Sequence, residues 1–332
     1  MNVKSRIRIA AAVGAAALGL SLFATPASAD TPTPRALIGV GSDTTQDVLN
    51  GLAENVTDVN GNLLISSYNA TGSSPINVGC AAPIARPNGS SAGIDALRNA
   101  ILNNTGCIDF ARSSRGPADT STTKLTWIPF GKDAVTVAVR SDSALNTGTV
   151  GGLNLTTAQL RDIYTCVKTT HNNVALTPLL PQSGSGTRTF FLEKIGVTEA
   201  QVGTCVNGTV QEHDGTALDS AGDIAPYSIA QYIAQTTGVV TDRHGATVLG
   251  KVNSVAPRNT DGTLNVAFPY NRDVYNVVPS DKLTGGATPD ANVIRAFATA
   301  NSEVCKLTDV ITGYGFGSLG TACGATTIKG ER

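Results

Sequence analysis

The chain is short of charge and of the side chains that most often do chemistry. Asp, Glu, Lys and Arg make up 15% of its 332 residues, against about 25% in an ordinary soluble domain. It carries one Trp, one Met and three His. Its 24 Lys and Arg face 25 Asp and Glu, a formal net charge of −1, so the cationic surplus of a general nucleic-acid binder is missing. The low charge also excludes a coiled coil. His171, His213 and His244 are scattered, and no H-E-x-x-H or C-x-x-C occurs. These absences leave zinc-hydrolase and thioredoxin-like readings without a motif. A serine hydrolase using Ser185, His213 and an Asp survives as an abstract alternative, because a triad is defined by geometry. His213-Asp214 beside Asp219 and Asp223 reads as a solvated turn rather than a metal cluster. Asp58–Gly61 reads as a plain turn, since its Gly is misplaced for a calcium loop.

What is present is apolar and glycine-rich: 41% hydrophobic residues and 35 Gly, enough for a large core and two domains. Residues 1–29 read as a signal peptide, with Lys4, Arg6 and Arg8, an apolar run from Ile9 to Ala24, and Ala27-Ser28-Ala29 at the exit. The expectation is a secreted chain, extracellular or periplasmic. No Cys stands near the cleavage point to carry a lipid anchor. All six cysteines, Cys80, Cys107, Cys166, Cys205, Cys305 and Cys323, lie beyond it, and an even number in an exported chain suggests three disulfides. Sequence leaves their connectivity open. Pairing neighbours closes the shortest loops and is the expected arrangement.

Past a flexible leader at Asp30–Arg35, apolar runs alternate between strand and helix periods. Strands are expected at Ala36–Val40, Leu63–Tyr68, Ile108–Ala111, Leu125–Phe130, Ala134–Val139 and Val274–Val278. Helices are expected from Thr44, over Ser91–Leu102, Leu155–Cys166 and Gly186–Ile195, and from Asp290. The alternation predicts an α/β architecture with mainly parallel sheets.

Three glycine-hydroxyl stretches stand immediately before helices: Gly41–Thr45 (Gly-Ser-Asp-Thr-Thr), Asn88–Gly93 (Asn-Gly-Ser-Ser-Ala-Gly) and Gln182–Thr187 (Gln-Ser-Gly-Ser-Gly-Thr). A helix start leaves unpaired N–H groups and a partial positive charge, which suits an oxyanion. Ser and Thr are also ordinary helix caps. Three such starts in one chain, and the two glycines at Gly184 and Gly186, exceed what capping needs. The loop Asp109–Arg115 adds Arg112, Ser113, Ser114 and Arg115 beyond a strand end, where open α/β sheets bind ligands.

In order and spacing these motifs resemble the extracytoplasmic phosphate-binding proteins that serve phosphate ABC transporters. Gly41–Thr45 looks like the family's first anion loop, Gly89–Ile94 like its Gly-Ser-Ser-Gly-Gly start and Asp109–Arg115 like its Ser-Ser-Arg loop. Ser183–Phe190 is similar to its Gly-Ser-Gly-Thr loop, and Leu155–Tyr164 and Asp273–Pro279 are further likenesses. The resemblance implies a two-lobed periplasmic-binding-protein-like fold (type II), with two chain crossings near Phe130 and Asp273. Residues 30–130 plus 274–332 would form lobe 1, and 131–273 lobe 2. It implies ligand contacts from Thr44, Ser90, Ser91, Ser114, Ser185, Gly186 and Thr187, with Asp43, Arg115 and Arg188 alongside. It implies a monomer that captures phosphate without chemistry, cofactor or metal, for a membrane permease. A secreted scavenger of the same fold without a transporter is the alternative. Many members carry an Arg just before the Gly-Ser-Gly-Thr loop. Here Pro181 and Gln182 stand there, and Arg188 is expected to supply the charge. Asp43 is expected to accept the proton that phosphate retains and sulfate lacks.

Overall fold

The computed structural model describes residues 32–332, so the expected signal peptide lies outside the described residues. Ten strands form one continuous sheet. In chain order they are β1 (Leu37–Gly41), β2 (Ile65–Ser67), β3 (Phe110–Ser113), β4 (Leu125–Arg140), β5 (Thr177–Pro181), β6 (Asn207–Val210), β7 (Asp223–Ser228), β8 (Thr247–Leu249), β9 (Asn271–Pro279) and β10 (Ile328–Gly330). Across the sheet they run β2-β1-β3-β9-β4-β7-β5-β6, with β8 and β10 also paired to β4. The principal helices are α1 (Gln46–Ala53), α2 (Ser90–Leu102), α3 (Thr157–Tyr164), α4 (Gly186–Ile195), α5 (Ile229–Thr236) and α6 (Ala291–Phe297).

The expectation of mainly parallel sheets needs correcting. β1 is parallel to β2 and β3, and β5 is parallel to β6 and β7. Between these groups β9 and β4 run antiparallel to each other and to their neighbours β3 and β7. The centre of the sheet is therefore antiparallel. In sequence β4 looks like two strands, because Gly131-Lys132-Asp133 interrupts its apolar pattern. It is one strand of 16 residues, and the interruption lies where it passes between two cores. Leu125, Trp127, Ile128 and Phe130 belong to cores formed with β1, α1, α2 and α6, while Ala134, Val135, Val137 and Val139 belong to a core with α3, α4 and β7. Lys132 and Asp133 find partners on β9: Lys132 Nζ lies 2.7 Å from Asp273 Oδ1, and Arg272 Nη2 lies 2.8 Å from Asp133 Oδ2. Charge that breaks a hydrophobic run is tolerated here because it is paired.

Two smaller differences have local causes. β3 begins at Phe110 rather than Ile108, since Asp109 Oδ2 accepts the Ile38 N–H at 2.8 Å and a side chain replaces part of the ladder. The leader ends in an anchored residue: Arg35 Nη1 donates to Ala53 O and Ile65 O, at 2.5 and 2.9 Å. The disulfides are Cys80–Cys107, Cys166–Cys205 and Cys305–Cys323, the neighbour pairing that the shortest loops suggested. Among the described residues no helix is long and apolar enough to cross a membrane.

Candidate functional site

The three glycine-hydroxyl starts meet where the two cores face each other. β1 ends in Gly41, and the loop that follows carries Ser42, Asp43, Thr44 and Thr45, all buried. Arg112 braces this loop: its guanidinium is fully buried and donates to Gly41 O (3.2 Å), Ser42 O (3.2 Å) and Ser67 Oγ (3.0 Å). Burial pushes the Arg112 pKa down to about 10 despite the opposing charges of Asp43 and Asp47. From the other lobe, Ser185 caps α4, accepting from the Arg188 N–H at 3.0 Å. That capping places Gly186 and Thr187 at the helix start.

These loops touch. Thr44 Oγ1 and Thr187 Oγ1 are 3.1 Å apart and buried. Gly186 faces Ser90 and Ser114, and a Cβ there would fall 2.2 Å from Ser90 Oγ and 2.4 Å from Ser114 Oγ, so only Gly fits. Gly89, at φ 104°, packs on Gly184, and a Cβ would meet Gly184 O at 2.6 Å. The Ser91 N–H donates to that same oxygen at 3.1 Å. A chain of amides extends the junction. Gln182 Nε2 donates to Asn88 Oδ1, Asn88 Nδ2 to Gln211 Oε1, and Gln211 Nε2 to Asp43 Oδ2, each at 3.0 Å.

Of the residues singled out in sequence, Thr44, Thr187, Ser185, Gly186, Ser90 and Ser114 are brought together. Asp43 lies at the edge of this cluster. Burial raises its pKa, opposed by His213 and Arg243, with Glu212 adding to the rise. Three of the expected contacts, Ser91, Arg115 and Arg188, are engaged elsewhere. Ser91 Oγ is taken by Arg115 Nη2 at 3.0 Å, and Arg115 also donates to Gly116 O, so that pair braces α2 instead of facing Thr44. Arg188 turns outward: it pairs with Glu199 at 2.7 Å and donates to Pro181 O and Gly208 O. It supplies no charge to the cluster.

Arg272, which the sequence did not single out, supplies that charge. Its Nη2 donates to Thr187 Oγ1 at 3.0 Å and lies 3.5 Å from Thr44 Oγ1. Asp133 holds it through Nε and Nη2, at 3.1 and 2.8 Å, and Asp133 is itself fixed by Ser228 Oγ and the Ala230 N–H. Nη1 of Arg272 is buried without a partner. Gln231 Nε2 donates to Thr44 O at 2.7 Å.

Glu212, which the sequence did not single out, and His213, expected in a solvated turn but buried at 2% exposure, complete the cluster. Glu212 Oε2 accepts from Thr44 Oγ1 (2.9 Å), Thr187 Oγ1 (3.0 Å) and His213 Nε2 (3.1 Å). The Ser228 N–H points at His213 Nδ1, which leaves Nε2 as the donor. Burial alone would raise the Glu212 pKa, but the hydrogen bond from His213 and the charge of Arg272 hold it well below the carboxylate range. Chemically, two hydroxyls and an imidazole N–H converge on one negative oxygen, and the Arg272 guanidinium backs the hydroxyls.

This arrangement has relatives. Residues 26–299 match the PBP superfamily domain. The chain belongs to the PBP superfamily. Comparison with curated proteins finds no match. Among solved structures, this PBP superfamily member resembles a Clostridium perfringens protein described as a candidate phosphate ABC transporter substrate-binding protein with bound phosphate. That pair has a TM-score of 0.57 and 17% identity, over 85% of this chain and 99% of the other. An ABC-type phosphate transport receptor from Vibrio cholerae gives a TM-score of 0.56 at 17% identity, over 85% and 99%. A phosphate-binding protein from Stenotrophomonas maltophilia gives 0.53 at 13%, over 86% and 91%. At these identities the shared property is the two-lobed PBP-like fold.

Proposed function

We propose that the chain is an exported solute-binding protein that captures inorganic phosphate, or a similar small oxyanion, between its lobes for ABC-type uptake. One observation carries this reading: Thr44 of one lobe and Thr187 of the other lie 3.1 Å apart, with Arg272 Nη2 donating to Thr187 at 3.0 Å. Oxyanions outside water need many fixed donors, and each charge-assisted bond contributes about 1.5–3 kcal/mol. Donors divided between two lobes bind the ligand fully only when the lobes close, so the ligand favours closure through that differential contact. The lobes are residues 30–130 plus 274–332 and residues 131–273, hinged where β4 and β9 cross. Structural relatives described as phosphate-binding support the choice of anion. The chain acts as a monomer, and the closed form is what a membrane permease recognises.

Capture proceeds without chemistry. Ser185 Oγ is occupied in capping α4, and the His213 imidazole reaches Glu212 and Thr44 instead of Ser185. The general base of a serine hydrolase must reach the nucleophile, so this geometry favours binding over hydrolysis. Isothermal titration with phosphate, arsenate and sulfate tests the reading: phosphate and arsenate saturate one site, and sulfate binds more weakly. Turnover of a chromogenic phosphate ester by the purified chain would overturn it.

A further inference from the structure

Glu212 stands where an oxyanion would stand. One of its oxygens, Oε2, takes hydrogen bonds from Thr44 of one lobe and from Thr187 and His213 of the other, at 2.9, 3.0 and 3.1 Å. The carboxylate is buried, with 1% of the residue exposed. Its second oxygen, Oε1, is buried with no partner. An unpaired buried carboxylate oxygen is costly, and the donors that Oε2 uses are those an external anion needs.

We propose that Glu212 is a tethered internal ligand: its carboxylate fills the oxyanion cradle and closes the lobes on itself, so capture is an exchange of one anion for another. The inference rests on the solute-binding reading above. Its physical content is competition. A side chain on the cradle's own lobe is present at a high effective concentration. An incoming anion binds only the fraction of molecules whose carboxylate has swung out, so apparent affinity falls by that fraction. Exchange also sets which ligands enter. A carboxylate oxygen that accepts three bonds is displaced by an anion that fills more acceptor sites around Thr44, Thr187, Ser185 and Arg272. Tetrahedral oxyanions with four oxygens meet that demand, and monocarboxylates, being chemically what Glu212 already is, gain nothing by exchange.

The test combines titration and small-angle X-ray scattering on the wild-type chain, Glu212→Ala and Glu212→Gln. Glu212→Gln keeps the size of the side chain and guards against a folding defect. With inorganic phosphate as the probe, Glu212→Ala should bind at least tenfold more tightly than the wild type, and Glu212→Gln should lie between them. Without phosphate, Glu212→Ala should scatter as a more open particle and contract when phosphate is added, whereas the wild-type radius should barely change. If the variants bind phosphate more weakly than the wild type, Glu212 is a ligand contact and the internal-ligand idea is overturned while the phosphate reading stands. If no form binds phosphate yet Glu212→Ala opens, the internal ligand stands and the phosphate reading fails.

Discussion

Thr44 and Thr187 are 143 positions apart in sequence, and their hydroxyl oxygens are 3.1 Å apart in the fold. Neither residue would be notable alone. Together they place a donor from each lobe on one point, which is what a hinged capture site requires. Thr187→Val preserves shape and removes the hydroxyl. It should weaken phosphate binding at least tenfold by titration calorimetry, and a change under twofold would remove this loop from the site.

Arg272 is the cation of the cluster, and its fork is shared between Asp133 and Thr187. Arg272→Lys keeps a charge but cannot hold both partners in one plane. It should weaken phosphate binding by a factor of ten or more. Arg272→Met leaves the buried Asp133 carboxylate without its cation and should cost about 3–5 kcal/mol in denaturant unfolding. If Arg272→Lys binds as well as the wild type, the guanidinium only braces the crossing strands.

Asp43 has one carboxylate oxygen bonded to Gln211 and the other buried without a partner. Phosphate near neutral pH retains a proton that such an oxygen can accept, and sulfate would meet it as an unpaired like charge. Asp43→Asn should narrow the ratio of phosphate to sulfate affinity by tenfold or more in competitive titrations. An unchanged ratio would reduce Asp43 to a brace for Gln211.

Asp109 gives a pH signature independent of ligand. Burial raises its pKa from the ordinary 3.8 to about 6, opposed by the Ile38 N–H bond, with Asp290 adding to the rise. Between those values the folded chain holds more protons than the unfolded one, so this group lowers stability as pH rises from about 4 to 6. Asp109→Asn keeps an oxygen that can accept from Ile38 N–H. It should flatten that part of the stability profile and stabilise the chain by about 2 kcal/mol at pH 7. Parallel profiles for the two proteins in urea melts would count against the raised pKa.

Much of the site was legible because helix starts carry local signatures. Gly41–Thr45, Gly89–Ser90 and Ser185–Thr187 each announce themselves through glycine and hydroxyl spacing, and the fold joins them. Ser91 and Arg115 carry the same signature, yet they pair with each other, because sequence does not show which of two adjacent serines points inward. Arg272 was invisible for a different reason. It is one charged residue on a strand, made meaningful by Thr44, 228 positions away. Glu212 and His213 look like part of a polar turn, but the backbone there takes a positive φ of 55° at His213 and both side chains are buried. The antiparallel centre was hidden because Lys132 and Asp133 break the apolar pattern of β4, and their partners Asp273 and Arg272 lie on β9.

The most direct test of the account is anomalous diffraction from crystals grown with arsenate, which shares phosphate's geometry and scatters anomalously. The predicted result is one arsenic peak between α1 and α4, its oxygens within hydrogen-bonding distance of Thr44 Oγ1 and Thr187 Oγ1, with the Glu212 carboxylate moved aside. An arsenic peak elsewhere on the chain, with Thr44 and Thr187 still bonded to Glu212, would contradict it.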